Sequence, residues 1–187
     1  GSSRSTEEYD NWAAGNEIDW QDTVLRDQAM IKNYDLSVSG KANKTGYYLS
    51  GSLIDQEGIT EGDQFQRATF RANFETEITD WVKFGLHSTF SYHDNSGVAV
   101  NFEESLQASP WASFYNEDGI TYPIDLAGEV YQKHPFSNTT GTNDDTKANI
   151  FLAPKLVFSI PGVEGLKYEI NYSYSNNSRR RFQFYDA

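Results

Sequence analysis

The sequence has no cysteine, a single methionine and only five prolines in 187 residues. Without cysteine there is no disulfide framework, no thiolate metal site and no cysteine nucleophile. Long apolar runs are missing too: none approaches the roughly 20 residues a membrane helix needs, and mean hydropathy is -0.67. That argues against a helical membrane protein and says nothing against a β-barrel, in which half of each strand is polar. Positive charge is short, with 15 Lys and Arg against 27 Asp and Glu and a net charge of -12. A nucleic-acid partner is therefore not expected, since neutralising phosphates needs a basic surface. Catalytic signatures are absent: there is no GxSxG elbow, phosphate loop, HExxH or EF-hand loop. His87 and His93 lie on one strand face but roughly 20 Å apart by strand rise, and His134 stands alone before Pro135, so no metal site is expected. Neither a catalytic residue nor a cofactor is assigned, and the chain is not read as an enzyme. No signal peptide follows Gly1-Ser2-Ser3, which suits a mature chain or an excised piece.

What the sequence does have is alternation. From Phe65 to Ile78, Ala68, Phe70, Ala72, Phe74 and Ile78 share one face, while Arg67, Thr69, Arg71, Asn73, Glu75 and Glu77 share the other. A side-chain period of two means a β-strand with one dry and one wet face. Five further segments repeat the pattern: Tyr34 to Gly40, Thr45 to about Gln56, Val82 to His93, Lys147 to Ile160, and a strand beginning at Leu166. Aromatic residues make up 15% of the chain, as 12 Tyr, 12 Phe and 4 Trp. Such a content suits a membrane barrel with aromatic girdles and equally a carbohydrate-binding β-module.

The expected fold is all-β, with about six strands paired as sequential antiparallel hairpins: one with two, two with three, three with four, and five with six. No helix longer than about three turns is expected. Turns at Gly40 to Lys44, at Thr79-Asp80 and at Pro161 to Gly165 are short. The connection at Glu57 to Asp63 is longer, and the stretch from Asn95 to about Asn143 is much longer, with a weak helical signal at Phe102 to Ala108. Alternating short and long connections put all the long loops at one end of the sheet, as in outer-membrane barrels. Pro154 inside the fifth strand predicts a bulge or a local break in pairing.

Several segments in order carry a family pattern. They are Asp19-Trp20-Gln21-Asp22, Asn33 to Gly40 (NYDLSVSG), Asp55-Gln56-Glu57-Gly58-Ile59, Phe65-Gln66-Arg67, Arg71-Ala72-Asn73, Trp81-Val82-Lys83-Phe84-Gly85, and Ile160 to Lys167 (IPGVEGLK). Together they resemble the early barrel of SusC/RagA-type TonB-dependent transporters, the outer-membrane nutrient importers of Bacteroidota. The resemblance implies part of a transmembrane β-barrel wall with one long extracellular loop, in a protein that does no chemistry. It implies a SusD-like surface lipoprotein and the TonB complex as partners, outer-membrane lipid around the wall, and an oligosaccharide or peptide as substrate. It divides the chain into a loop segment leading into the barrel (1–32), four antiparallel strands (33–95), a long loop (96–145), and a hairpin running into the start of the next loop from about Arg179 (146–187). The family's TonB box and plug are not in these residues, and six strands do not close a barrel of about 22, so the chain reads as a fragment.

Within the long loop, Trp111, Tyr115 and Tyr122 are the candidates for contact with substrate or partner, because ring faces stack on sugars at little cost in side-chain entropy. The plainer reading is that they and their neighbours Phe114, Tyr131 and Phe136 pack the loop onto its own barrel. Arg67, Arg71, Lys83, Glu75 and Glu77 line the polar face, either as a solute path or as a solvated pleat. The alternative to the transporter is a soluble β-sandwich that binds glycans through exposed rings. It differs in burying its apolar faces on each other.

Overall fold

The computed structural model describes residues 6–116, 118–123, 125, 126 and 132–184. All the strands join one antiparallel sheet: β1 (Ile31–Ala42), β2 (Thr45–Glu57), β3 (Gln64–Glu77), β4 (Val82–Asp94), β5 (Thr142–Ser159), β6 (Lys167–Asn171) and β7 (Tyr174–Phe184). Each is long enough and alternating enough to expose one dry face. The expected hairpin pairings are all present, and β4 also pairs with β5 across the long loop. The sheet is open, with β1 at one edge and β6 and β7 at the other.

β6 and β7 are two halves of one strand. Both pair with β5 in one unbroken register, Leu156 with Ile170 and Leu152 with Tyr174. The gap falls where Pro154 meets Tyr172. The Tyr172 N–H still donates to the Pro154 carbonyl at 3.1 Å, but Pro154 has no N–H to return. The proline thus removes one ladder bond and inserts no bulge. The strand then runs on to Phe184, so the segment from Arg179, expected as the start of a loop, is strand instead. Its partners are the six residues Thr142 to Lys147, the first five of which lie ahead of the expected start of β5.

The register carries the apolar face across the whole sheet. Leu36 pairs with Gly51, Gly51 with Phe70, Phe70 with Phe90, and Phe90 with Ile150. Ala68, Phe70, Phe74, Phe84, Leu86, Phe90, Ile150, Leu152, Ile170 and Tyr172 all fall on that face, as the alternation requires. Among the described residues no second layer covers it: Leu36 is 81% exposed and Phe70 51%. The second sheet that the sandwich alternative needs against the first is not among them.

The short turns share one end of the sheet. Ala42 pairs with Thr45, leaving a two-residue turn with Asn43 at φ 54, the left-handed region that Asn tolerates. At the β3–β4 turn the Thr79 hydroxyl accepts from the N–H groups of Trp81 and Val82.

At the other end three segments form a cap. The leading segment, expected as loop, contains two helices, α1 (Thr6–Ala14) and α2 (Trp20–Val24). The Asp19 side chain starts α2 by accepting from the N–H groups of Gln21 and Asp22, which satisfies donors a helix start leaves open. The long loop contributes α3 (Phe102–Gln107), capped in the same way by Asn101. Backbone bonds tie the segments together: Arg26 N–H to the Ile59 carbonyl at 2.8 Å, Val100 N–H to Glu61 at 2.9 Å, and Ile18 N–H to Pro110 at 2.7 Å. Gly62, at φ +79, lies so close to Val98 that a Cβ would collide with its carbonyl, so only glycine suits this crossing.

Candidate functional site

The long loop is organised around a hub of rings. Trp20, from α2, is buried with Ala112 and Leu126, and its Nε1–H donates to the Ser109 carbonyl at 2.8 Å. Phe114 lies parallel to Trp20 at 5.7 Å, and His134 meets Trp20 edge-on at 5.1 Å. Phe136 closes against Phe114 at 5.3 Å and Tyr122 at 5.1 Å. Such offset and edge-on contacts add roughly 0.5–1.5 kcal/mol per pair to the burial itself. The hub gives this long connection a core of its own, which a long loop needs if it is to be ordered.

Two of the sequence candidates meet here. Tyr115 and Tyr122 stack at 5.4 Å and 18° between ring planes, and Tyr122 stacks in turn on His134 at 5.5 Å and 18°. The result is a column of three rings running from a buried histidine to an exposed end, where Tyr115 is 44% exposed. Burial and the neighbouring Tyr115 push the Tyr122 phenol above its ordinary pKa, so it stays neutral and able to donate. Trp111 does not join the column. Its backbone carbonyl accepts from the Asn11 side chain at 3.0 Å, which pins α1 to the loop. Tyr131 lies outside the described residues.

His134, read in sequence only as an isolated histidine, is fully buried at 0% exposure. Its Nδ1 accepts from the Phe136 N–H at 3.1 Å, so the neutral ring carries its proton on Nε2, which is buried with no hydrogen-bond partner among the described residues. Burial holds the imidazole down to about 4, with the Phe114 backbone acting weakly in the opposite sense. The signal that could have found it was composition: a His-Pro-Phe run inside an aromatic-rich loop.

The sign of its pH dependence follows. The unfolded ring takes a proton near its ordinary value while the buried ring does not. The stability this confers is therefore full above about pH 6.5 and is lost as pH falls toward about 4, up to roughly 3 kcal/mol. Amide protection across residues 100–136, taken relative to the intrinsic exchange rate at each pH, should fall over that window, and His134→Gln should remove the pH dependence. Protection that stays flat with pH in the wild type would mean that His134 does not hold the hub.

On the polar face, Lys83 pairs with Glu77 at 2.8 Å and Lys155 pairs with Glu169. Gly46 and Gly85 flank Glu75 in register and leave a shallow depression of about 320 Å³ bordered by Tyr48, Glu75, Lys83, His87 and Lys155. Arg67 and Arg71 form no salt bridge among the described residues. In the long loop, Asp118 accepts from the N–H groups of Ile120 and Thr121. These bonds and the Thr121 hydroxyl hold its carboxyl below the usual range. Among the described residues no second carboxylate joins it.

No family model matches the sequence, but relatives do. The chain is 27% identical over 165 residues to TonB-dependent receptor P26 of Formosa agariphila, covering 88% of this chain and 17% of that protein. It is 29% identical over 136 residues to TonB-dependent receptor SusC of Bacteroides thetaiotaomicron, covering 69% of the chain and 13% of that protein. Among solved structures, the RagAB peptide importer in its closed-closed state superposes with a TM-score of 0.61 at 18% identity, over 89% of this chain and 20% of that one. Its open-open state gives 0.62 over 87% and 19%. The structural likeness speaks for the fold, and the curated relatives bear out the resemblance to SusC/RagA-type TonB-dependent transporters. The chain spans about a sixth of the length of P26 and about an eighth of that of SusC.

Proposed function

We propose that this chain is part of the barrel wall of an outer-membrane importer, energised through TonB and working with a SusD-like lipoprotein on oligosaccharide or peptide. The observation that carries the reading is the shape of the apolar face. On β4 it runs from Val82 to Tyr92, ten residue steps of about 3.4 Å; at a tilt of roughly 35° that is a band of about 28 Å, close to the height of a barrel's lipid-facing belt. The middle of the band drifts across the sheet, from the level of Leu36, which registers with Phe70, to the level of Asn171, which registers through Lys155 and Gly85 with Glu75. That is about one residue per strand, the slant that keeps a band level when strands tilt by roughly 35°. A soluble sheet has no reason to slant its apolar stripe in this way.

The topology is tested by placing single cysteines in the whole protein, one at Gly162 in a short turn and one at Gly119 in the long loop. An impermeant thiol reagent applied to intact cells should label the loop position and should reach the turn only after the outer membrane is opened. Labelling of the turn in intact cells would overturn the orientation.

Substrate or lipoprotein contact is assigned to the cap and not to the short turns, because the two longer connections share the outer end. Tyr115, the exposed end of the ring column, is the foremost contact, with Tyr122 beneath it and Trp111 beside the α1 junction. Alanine at Tyr115 should weaken uptake several-fold, on the scale of one stacked aromatic, with the amount of protein in the membrane unchanged. Alanine at Tyr122 should weaken uptake and loosen the loop together, because its ring is also a hub contact. Full uptake in all three variants, Trp111→Ala included, would remove these rings from the functional account.

A further inference from the structure

The register brings together charges that the sequence keeps far apart. Arg67 pairs with His93, His93 with Lys147, and Lys147 with Arg179. All four stand on the polar face, on four adjacent strands, in one row about 14 Å long at the usual strand spacing. The row lies toward the capped end, just below the long loop, whose return strand is held by the Asn95 N–H on the Asp145 carbonyl. The flanking positions on the same face are Phe65, Thr69, Ser91, Asn149, Asn177, Asp145 and Arg181, so a single carboxylate borders the row. That carboxylate is taken: Arg179 holds Asp145 through two hydrogen bonds, the one from Nε at 2.7 Å. Arg67 and Lys147 form no salt bridge among the described residues, and the Arg67 Nε is buried with no hydrogen-bond partner. In a chain of net charge -12, two unneutralised cations on one face of this row, Arg67 and Lys147, are the opposite of what composition alone would produce.

Like charges on neighbouring strands repel, and a guanidinium nitrogen buried without an acceptor costs more. A ligand that supplies oxyanions relieves both. We infer that this row is an oxyanion-binding track for a solute carrying several carboxylates or sulfates along its length. Arg67 makes a forked contact and Lys147 a point-charge contact, while His93 donates or accepts between them. The inference rests on the importer reading, because only there does the polar face line a solute path, and it narrows the substrate of that reading to an anionic chain.

The test uses the whole transporter in detergent at low ionic strength, where such contacts are least screened. Two anionic probes are each measured against a neutral counterpart: hexaglutamate against hexaglutamine, and a sulfated tetrasaccharide against its unsulfated parent. At least one anionic probe should bind about ten-fold tighter than its counterpart, since two charge contacts supply roughly that factor. The pair that discriminates shows whether the track takes carboxylates or sulfates. Arg67→Gln with Lys147→Gln should abolish the preference, and Arg67→Lys with Lys147→Arg should restore most of it. Equal binding of anionic and neutral probes, or a preference that survives the double Gln variant, overturns the track. Thiol labelling and uptake by the whole protein test the importer reading separately, so normal labelling and uptake with no anion preference reject this inference alone.

Discussion

Leu86→Arg is expected to lower the stability of the whole protein in a bilayer by about 2–4 kcal/mol, the cost of a basic side chain at the midplane of a barrel's lipid face. Leu86 pairs with Phe74 close to the centre of the apolar band on both strands. Phe70→Arg, four residues nearer the capped end by the register, should cost less, because the penalty falls toward the interfaces. Thr89→Arg provides the contrast. It is three residues from Leu86 on the same strand but on the polar face, opposite Arg71, and should cost only the roughly 0.2–1 kcal/mol of a like-charge cross-strand pair. The measurement is a urea titration of folding into vesicles, read by the shift in gel mobility on heating. If the Leu86 and Thr89 variants lost stability equally, the apolar face would not be the one in lipid.

Trp20→Ala is the second large effect, and it should be confined to the cap. Removing a buried indole costs about 3–5 kcal/mol, and Trp20 is 4% exposed. It also strands the Ser109 carbonyl and takes away the surfaces against which Phe114 and His134 pack. The strands neither contain Trp20 nor depend on the hub for pairing, so barrel assembly and heat-modifiable mobility should be retained. Amide exchange should rise across residues 100–136 and stay as it was in β2, β3 and β4. Equal loosening of hub and sheet would show that the cap and the wall fold as one unit; no change in the loop would show that the rings are not what orders it.

The sheet was legible because the side-chain period of two survives in every strand. Phe65 to Ile78 announces both faces without reference to any other segment, and the hairpin order follows from the short turns between such runs. The cap was less legible. α2 is only five residues long, too short for an apolar stripe, and its one local signal is an Asp19 cap whose value depends on Trp20 finding partners more than 80 positions away. His134 offered no local signal of its own, because burial is a property of its neighbours. The far end of the sixth strand was misread for a related reason. Asn176, Ser178 and Arg180 occupy apolar-face positions above the band, so the alternation fades where the strand leaves the level of the belt, although β5 still pairs with it.

The sequence by itself determined the kind of element, the two faces of each strand, the end at which the long connections lie, and the residue types that make one face fit for lipid. These depend on neighbours within a few positions, and the pleat converts them directly into geometry. Which residues from different strands stand side by side was decided only by the tertiary structure. A shift of one residue in any ladder would move Lys147 off the row of Arg67 and His93 and turn it to the other face. The same holds for the slant of the apolar band and for the hub that joins Trp20, Phe114, Tyr122 and His134. Each is a relation between distant segments, set by pairing register and by packing that no local stretch of chain contains.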